Sequence, residues 1–223
     1  MSKMKIFILL MILLPVISYS QDTLIVQQDS VIIEETGEPK VEHSFGVRGG
    51  YGVGDISFSL NRDTGYNQSF DVGVVYKRIG KPGLGIQLEL NYVNRGFILL
   101  GEEDILAPDT AYSFSMIELP FLAHGYIGRK NGRLFLNLGC FLNLRLNGNL
   151  RYENVQNEVD FDNVQMLGYG VLGGVGYGRK LGPGFLQIEG RYQFSLGNLY
   201  EQVILRADFS QMQAIMVNVA YLF

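Results

Sequence analysis

The strongest constraint in this sequence is a run of fourteen residues, from Leu134 to Asn147, in which two kinds of side chain alternate. A period of two predicts a β-strand, here with one leucine-rich face and one face containing Asn, Gly and Arg. At ~3.3 Å per residue the run is long enough, when tilted, to cross the ~25 Å apolar band of an outer membrane. Every backbone N–H and C=O group of a strand in lipid must be hydrogen-bonded, and among β-structures only a closed barrel meets this requirement. The apolar face carries Leu134, Leu136, Leu138, Cys140, Leu142, Leu144 and Leu146, and the other carries Phe135, Asn137, Gly139, Phe141, Asn143, Arg145 and Asn147.

Seven further segments alternate in the same way, and together they predict an all-β, eight-stranded antiparallel up-and-down transmembrane barrel. Connections of two lengths alternate between them, which is the outer-membrane pattern of short periplasmic turns and long outer loops. An even number of strands then places both termini in the periplasm. The short turns are expected at about Arg78–Gly83, Gly128–Gly132 and Gly178–Gly184, and the long loops at about Gly54–Gln68, Leu99–Ala111, Gly148–Asn163 and Gly197–Asp208. The other outward residues are expected to be Phe45, Val47, Gly49, Tyr51, Phe70, Val72, Val74, Tyr76, Ile86, Leu88, Leu90, Tyr92, Ile117, Leu119, Phe121, Ala123, Leu167, Tyr169, Val171, Val175, Tyr177, Leu186, Ile188, Gly190, Tyr192, Phe194, Ile215, Val217, Val219, Tyr221 and Phe223.

Both ends of the chain suggest export. Residues 1–20 have basic residues, an apolar run and small residues before Gln21, which predicts a secretory signal peptide cleaved after Ser20. A membrane anchor is the alternative, but the run is shorter than the ~20 residues of a spanning helix. Residues 21–42 are polar and acidic and are interpreted as a flexible periplasmic segment, or as short β-segments that pair with a partner, before a barrel at 43–223. The final strand resembles the C-terminal signature that the barrel-assembly machinery reads, with Tyr221 and Phe223 as the signal residues.

The composition separates a membrane barrel from a soluble, lipocalin-like one. A soluble barrel needs many charged residues outside, whereas only 18% of this chain is charged and 28 residues are glycine. The polar faces offer mainly Gly, Asn and Gln, which suits a filled lumen better than a soluble exterior. The net charge of −4 gives no indication of a nucleic-acid partner. The single cysteine, Cys140, is expected to face lipid and cannot form a disulfide within the chain.

Four local motifs stand out in the second half of the chain: Ile117-Glu118-Leu119-Pro120-Phe121-Leu122, Gly173-Gly174-Val175-Gly176-Tyr177, the run from Glu189 to Leu199 and the closing Ala220-Tyr221-Leu222-Phe223. They resemble the PorT-type outer-membrane β-barrel proteins of Bacteroidota. The resemblance covers about His43 to Phe223 and implies outer-membrane location and fold more firmly than activity. The founding member is tied to protein secretion, so the resemblance implies a secretion-related partner. Gly190 departs from the pattern, since a larger residue is usual there.

Eight charged residues fall on the inward faces and are nearly balanced in sign. An unpaired charge in a narrow lumen costs several kcal/mol, and an eight-stranded barrel has room only for side chains. We therefore expect a structural salt-bridge network that fills the lumen. A gated conductance and a proton or ligand relay are the alternatives. The residues are Arg48, Asp71, Glu89, Arg95, Glu118, Arg145, Glu189 and Arg191.

Catalysis has little support in the sequence. A lipid-modifying barrel needs a His within reach of a Ser and an acid near the outer leaflet, but His43 and His124 fall at the periplasmic side. No metal-ligand spacing or phosphate loop is present, so no cofactor is expected. The acidic loop Glu102-Glu103-Asp104 is either solvated or a binder of Ca²⁺ or lipopolysaccharide-bound cations.

The expected function is a non-enzymatic outer-membrane barrel that acts in envelope structure or presents its loops and tail to partners. Expected partners are outer-membrane lipid and lipopolysaccharide, the barrel-assembly machinery, and a periplasmic or secretion-system protein. The alternatives are an outer-membrane lipid-modifying enzyme and a small-solute channel.

Overall fold

A computed structural model describes residues 41–58, 63–81, 83–101, 109–129, 131–152, 155–158, 164–199 and 210–223. The predicted signal peptide, almost all of the segment 21–42 and the acidic loop Glu102-Glu103-Asp104 lie outside these residues. Within the described ranges, no helix is long and apolar enough to cross a membrane.

The described residues form nine antiparallel strands, eight of which build a closed barrel. The barrel closes because β4 pairs with β5 and the first strand pairs with the last. The short β6 pairs only with the end of β5 and extends it as a hairpin. The predicted eight-stranded antiparallel fold is therefore confirmed. The strands are β1 (Glu42–Phe58), β2 (Thr64–Lys81), β3 (Leu84–Leu99), β4 (Thr110–Arg129), β5 (Gly132–Tyr152), β6 (Val155–Glu158), β7 (Leu167–Leu181), β8 (Gly184–Ser195) and β9 (Ser210–Leu222).

The two ends of the barrel differ in their connections. At one end, called the turn end, two residues separate β2 from β3, β4 from β5 and β7 from β8. Gly83 and Gly182 adopt positive φ angles of 86° and 61° in two of these turns, a conformation that only glycine adopts without strain. The start of β1 and the end of β9 also lie here, since Gly46 pairs with Leu222. The opposite end, called the loop end, has the longer connections.

The central part of the barrel, called the membrane band, has an apolar outer face. Side chains such as Val47, Leu90, Leu138 and Val217 are about half exposed there, while their neighbours along each strand point inward and are buried. Exposed aromatic residues flank the band, including Phe45 and Phe223 at the turn end and Tyr51 and Tyr192 at the loop end. The predicted assignment of outward and inward faces is confirmed in this region.

The predicted limits are wrong for two of the four long loops, because strands continue beyond the membrane band there. The loops predicted at Leu99–Ala111 and Gly197–Asp208 agree with the observed strand ends to within two residues. The region expected as a loop at Gly54–Gln68 contains the end of β1 and the start of β2. The region expected as a loop at Gly148–Asn163 contains the end of β5 and all of β6.

The expected position of Asn147 in the lumen is also wrong. Ser115 pairs with Asn147 but Met116 pairs with Arg145, so Leu146 is the extra residue of a β-bulge. A bulge shifts the alternation by one residue, and Asn147 is accordingly exposed.

At the loop end the two faces exchange character. Polar side chains lie on the outside, where Gln213 Nε2 donates to Asp55 Oδ2 at 3.3 Å and Ser113 Oγ donates to Asn94 Oδ1 at 2.8 Å. Buried apolar side chains occupy the inside and are called the loop-end core. This core is formed by Ile56, Val93, Phe97, Phe114, Met116, Val164, Leu199 and Met212.

Candidate functional site in the barrel lumen

Five charged side chains form the centre of the lumen, and each is at most 6% exposed. Arg191 joins two carboxylates: Nη1 donates to Glu89 Oε2 at 2.9 Å, and Nη2 donates to Glu89 Oε1 at 2.8 Å and Glu189 Oε2 at 2.9 Å. Arg48 donates to Glu89 and lies 3.3 Å from Asp71 Oδ2. Charge-assisted, bidentate hydrogen bonds of this kind are among the strongest hydrogen bonds in proteins. We call these five residues the central group.

Neutral side chains from three strands, β3, β5 and β9, complete the hydrogen bonds of the central group. Glu89 accepts from Gln87 Nε2 at 2.6 Å and from Asn91 Nδ2 at 3.0 Å. Asn137 Nδ2 donates to Glu189 Oε1 at 3.0 Å, and Arg48 donates to Asn218 Oδ1. These contacts matter because a buried charge is tolerated only when its remaining hydrogen-bonding positions are filled.

Glycines on the inner face make room for these long side chains. A Cβ atom added at Gly50 would overlap the Asn218 and Asp71 side chains. One added at Gly174 would overlap Glu189. The high glycine content of the chain therefore has a packing role inside the barrel at these positions.

A second group lies nearer the loop end. Arg95 Nη1 is 3.4 Å from Glu118 Oε2, Gln193 Nε2 donates to Glu118 Oε1 at 2.9 Å, and Arg95 also donates to Gln193. Arg145 donates to the main-chain carbonyl of Gln165. All eight charged residues named from the sequence are thus buried in the lumen, where Arg48, Asp71, Glu89, Glu189 and Arg191 form one ion-paired group and Arg95 and Glu118 belong to another.

The loop-end core closes the lumen beyond the second group. The ring of Phe97 is fully buried and lies 5.0 Å from the Tyr112 ring and 6.3 Å from the Phe114 ring, centroid to centroid. Leu122, Phe141 and Leu172 form a smaller buried apolar cluster in the barrel. Charged, amide and apolar side chains therefore fill the described lumen, apart from its turn end.

Among the described residues, the chain's two histidines hydrogen-bond a tyrosine and an asparagine, and neither is hydrogen-bonded to a serine or a carboxylate. His43 Nδ1 lies 2.8 Å from the Tyr76 hydroxyl on the exposed rim. His124 is buried, with Nδ1 2.7 Å from Asn137 Oδ1. The described residues also contain no group of three or more His, Cys, Asp or Glu side chains able to hold a metal ion.

Two features of the lumen were missed from the sequence. Lys77 points inward and is only 2% exposed. The sequence predicts a turn from Arg78 and therefore a last strand residue at Tyr76, whereas β2 continues to Lys81. Continued alternation through Ile79, which is also buried, was the signal. The loop-end core was missed because outward and inward faces were assigned mainly to the middle of each strand, and none of its eight residues was among those assigned.

Three solved structures that resemble the chain are bacterial surface or outer-membrane proteins. OprG from Pseudomonas aeruginosa is 14% identical, with a TM-score of 0.49, and covers 81% of this chain and 95% of its own. Neisserial surface protein A is 12% identical, with a TM-score of 0.46, and covers 79% and 95%. Ail, the attachment invasion locus protein of Yersinia pestis, is 13% identical, with a TM-score of 0.43, and covers 82% and 99%. No curated protein matches the sequence significantly.

The sequence matches one protein family over most of the barrel. The match runs from residue 27 to residue 201, which includes every barrel strand except β9. It agrees with the closed antiparallel barrel and the apolar outer band described above. The chain belongs to the outer membrane protein beta-barrel domain family.

Proposed function

We propose that the protein is a non-enzymatic outer-membrane barrel that acts through its surfaces, in envelope structure or by binding a partner protein. The observation that supports this most directly is the filled lumen. Opening a path for solutes would separate Arg191 from Glu89 and Glu189, which are held at 2.8–2.9 Å. Breaking a buried pair leaves an uncompensated charge and costs about 3–5 kcal/mol.

In this proposal the turn end and both termini face the periplasm, and the loop end faces outward. The short turns are the support, because outer-membrane barrels keep their short turns in the periplasm. Tyr221 and Phe223 would then be accessible to the assembly machinery from the periplasmic side. Phe223 is 67% exposed, and its backbone N–H donates to Phe45 O at 2.7 Å.

The proposed partners are lipid and lipopolysaccharide around the band, and a periplasmic or secretion-system protein. The resemblance to PorT-type proteins supports the secretion-related role. The polar outer face of the loop end adds a surface beyond the membrane band for such contacts. Crosslinking in native envelopes followed by purification identifies the partner, and recovery of lipid alone would favour the structural role.

Conductance measurements test the filled lumen. Purified protein in planar bilayers should give no large, steady current. A stable open-channel current from the wild type would contradict the proposal and favour a solute channel. Assays of the same preparation with lipopolysaccharide and phospholipid should show no turnover, and turnover that depends on the protein would favour a lipid-modifying enzyme.

The orientation is tested with cysteines at the two ends of β5. In a Cys140→Ser background, Asn147→Cys places a thiol at the loop end and Asn131→Cys places one at the turn end; both positions are exposed. A membrane-impermeant maleimide should label Asn147→Cys in intact cells and Asn131→Cys only after permeabilisation. The reverse pattern would overturn the orientation.

A further inference from the structure

A cavity of about 270 Å³ opens at the turn end of the barrel. Its walls combine basic side chains with apolar ones from β2, β5, β7, β8 and β9. The basic part includes Lys77, Arg133 and Lys180, and the apolar part includes Ile79, Phe185 and Leu222. A space lined in this way suits a ligand with an anionic group and an apolar or aliphatic remainder.

Lys77 is the most informative residue of this cavity, because its amino group is buried and no carboxylate among the described residues binds it directly. The Lys77 side chain is 2% exposed. Its Nζ atom donates a hydrogen bond to Gln187 Oε1 at 3.0 Å and lies 5.4 Å from the centroid of the Phe135 ring. Among the described residues, no carboxylate oxygen lies within 4 Å of Lys77 Nζ. The central group lies beyond Lys77 and contains three carboxylates and two Arg, so it has one more negative than positive group. Lys77 offsets this surplus negative charge only from a distance.

The rim of the cavity adds two further basic side chains, those of Arg133 and Lys180. The guanidinium of Arg133 lies 4.5 Å from the Tyr126 ring centroid and 3.7 Å from Glu42 Oε2, on a Glu42 side chain that is 55% exposed. Lys180 is exposed. Phe223 also lies on the rim, and its main-chain oxygen accepts the Phe45 N–H at 3.1 Å in the β1–β9 seam. Three basic side chains thus line a water-accessible space, and Glu42 places a carboxylate at its rim, 3.7 Å from Arg133.

We propose that this cavity binds a phosphate group, either that of a phospholipid headgroup in the adjacent leaflet or free phosphate. A planar guanidinium and two ammonium groups provide charge-assisted donors for its oxygens. The apolar wall with Ile79, Phe185 and Leu222 fits the glycerol and upper acyl part of a lipid. The binding site holds for either orientation of the barrel, and only the identity of the leaflet rests on the proposed function.

Phosphorus NMR titrations of the full chain in a nonionic detergent test this proposal. The probes are inorganic phosphate, short-chain phosphatidylglycerol and short-chain phosphatidylcholine. Saturable binding of phosphate or phosphatidylglycerol, tighter than that of phosphatidylcholine, is expected. Preference for phosphatidylglycerol over phosphate identifies the lipid as the source, and the opposite preference identifies the free anion.

Lys77→Gln should weaken that binding about tenfold, because it removes a charge-assisted hydrogen bond. Arg78→Gln is the matched control, since it removes one positive charge from the next residue, which is exposed on the opposite face. Its binding should stay within about twofold of wild type. If Lys77→Gln does not fold, Lys180→Gln on the exposed rim provides the test, with a smaller loss in the same direction.

Three outcomes would overturn the proposal. The first is no saturable binding of phosphate or phosphatidylglycerol by the wild type. The second is equal affinity in the wild type and the folded Lys77 and Lys180 variants. The third is binding of a short peptide through its carboxylate with no binding of either phosphate compound, which would assign the cavity to a protein partner.

Discussion

The membrane band and the loop end share one continuous sheet but have opposite arrangements of polar and apolar side chains. In the band, Val217 faces outward and Arg191 is buried inside. At the loop end, Gln213 lies on the outside and Ile56 is buried inside. The difference shows that the surrounding medium, lipid or water, determines which face of a strand is apolar, since the backbone pairing is the same in both regions.

The largest effect expected from this comparison comes from removing a charge inside the band. Arg191→Met leaves Glu89 and Glu189 without their main partner, and we expect a loss of about 3–5 kcal/mol in the free energy of unfolding. Arg151→Met is the control at the loop end, where the same change affects an exposed side chain and should cost no more than about 0.5 kcal/mol. Urea unfolding in lipid vesicles measures both. Equal stabilities would mean that the central group is not a stabilising network.

A second test places a charge on the outer face in both regions. Val217→Arg exposes a cation to lipid in the band and should cost about 2–4 kcal/mol. Gln213→Arg lies on the same face of the same strand, four residues away, and next to Asp55. It should leave the unfolding free energy nearly unchanged. If the folded yields and stabilities of the two variants match, the boundary between the regions has been drawn in the wrong place.

A smaller effect is expected from overpacking the interior of the band. A methyl group at Gly174 would overlap Glu189, so Gly174→Ala should destabilise by about 1–3 kcal/mol. Gly190 lies on the outer face of the neighbouring strand, and the nearest atom to an added Cβ is Val175 O at 4.0 Å. Gly190→Ala should therefore have no destabilising effect. Thermal unfolding monitored by heat-modifiable gel migration separates them, and a larger loss at Gly190 would contradict the assigned faces.

The smallest effect concerns the interior of the loop end. Ile56 is 1% exposed in the loop-end core, so Ile56→Val should cost about 0.5–1.5 kcal/mol. Ser57 is the next residue and points to the other face, so Ser57→Ala should stay within about 0.5 kcal/mol of wild type. The same urea titrations measure both. A neutral Ile56→Val together with a destabilising Ser57→Ala would show that the faces do not exchange character here.

The strands of the membrane band could be predicted because lipid outside and charge inside produce a period of two. Leu134 to Leu146 shows this most clearly, and the same rule correctly placed the inward face of Glu89 and Arg191. The prediction of strand faces is less accurate at the loop end, where water replaces lipid around the outer face of the barrel. Beyond Tyr92, for example, Val93 and Phe97 are inward, and an apolar inner face no longer matched the pattern expected of a membrane strand.

The partners of the luminal charges could not be predicted from alternation alone. Which residues meet depends on the register between strands, and Arg191 and Glu89 are 102 positions apart in the chain. The bulge at Leu146 cannot be predicted from alternation either, because it is defined by the pairing of Ser115 and Met116 on the neighbouring strand. Period-two reasoning assigns a face to each residue, whereas register assigns its neighbours.

The seam between β1 and β9 has a consequence for the kinetics of assembly. Arg48 reaches Asn218 across this seam, although 170 positions separate them in the chain. Until the last strand is in place, β1 has an unpaired edge and the luminal carboxylates lack a wall, and neither is tolerated in hydrocarbon. Contacts of such high sequence separation also form slowly. Partly inserted sheets should therefore be short-lived, and closure of the barrel should be concerted with its entry into the bilayer.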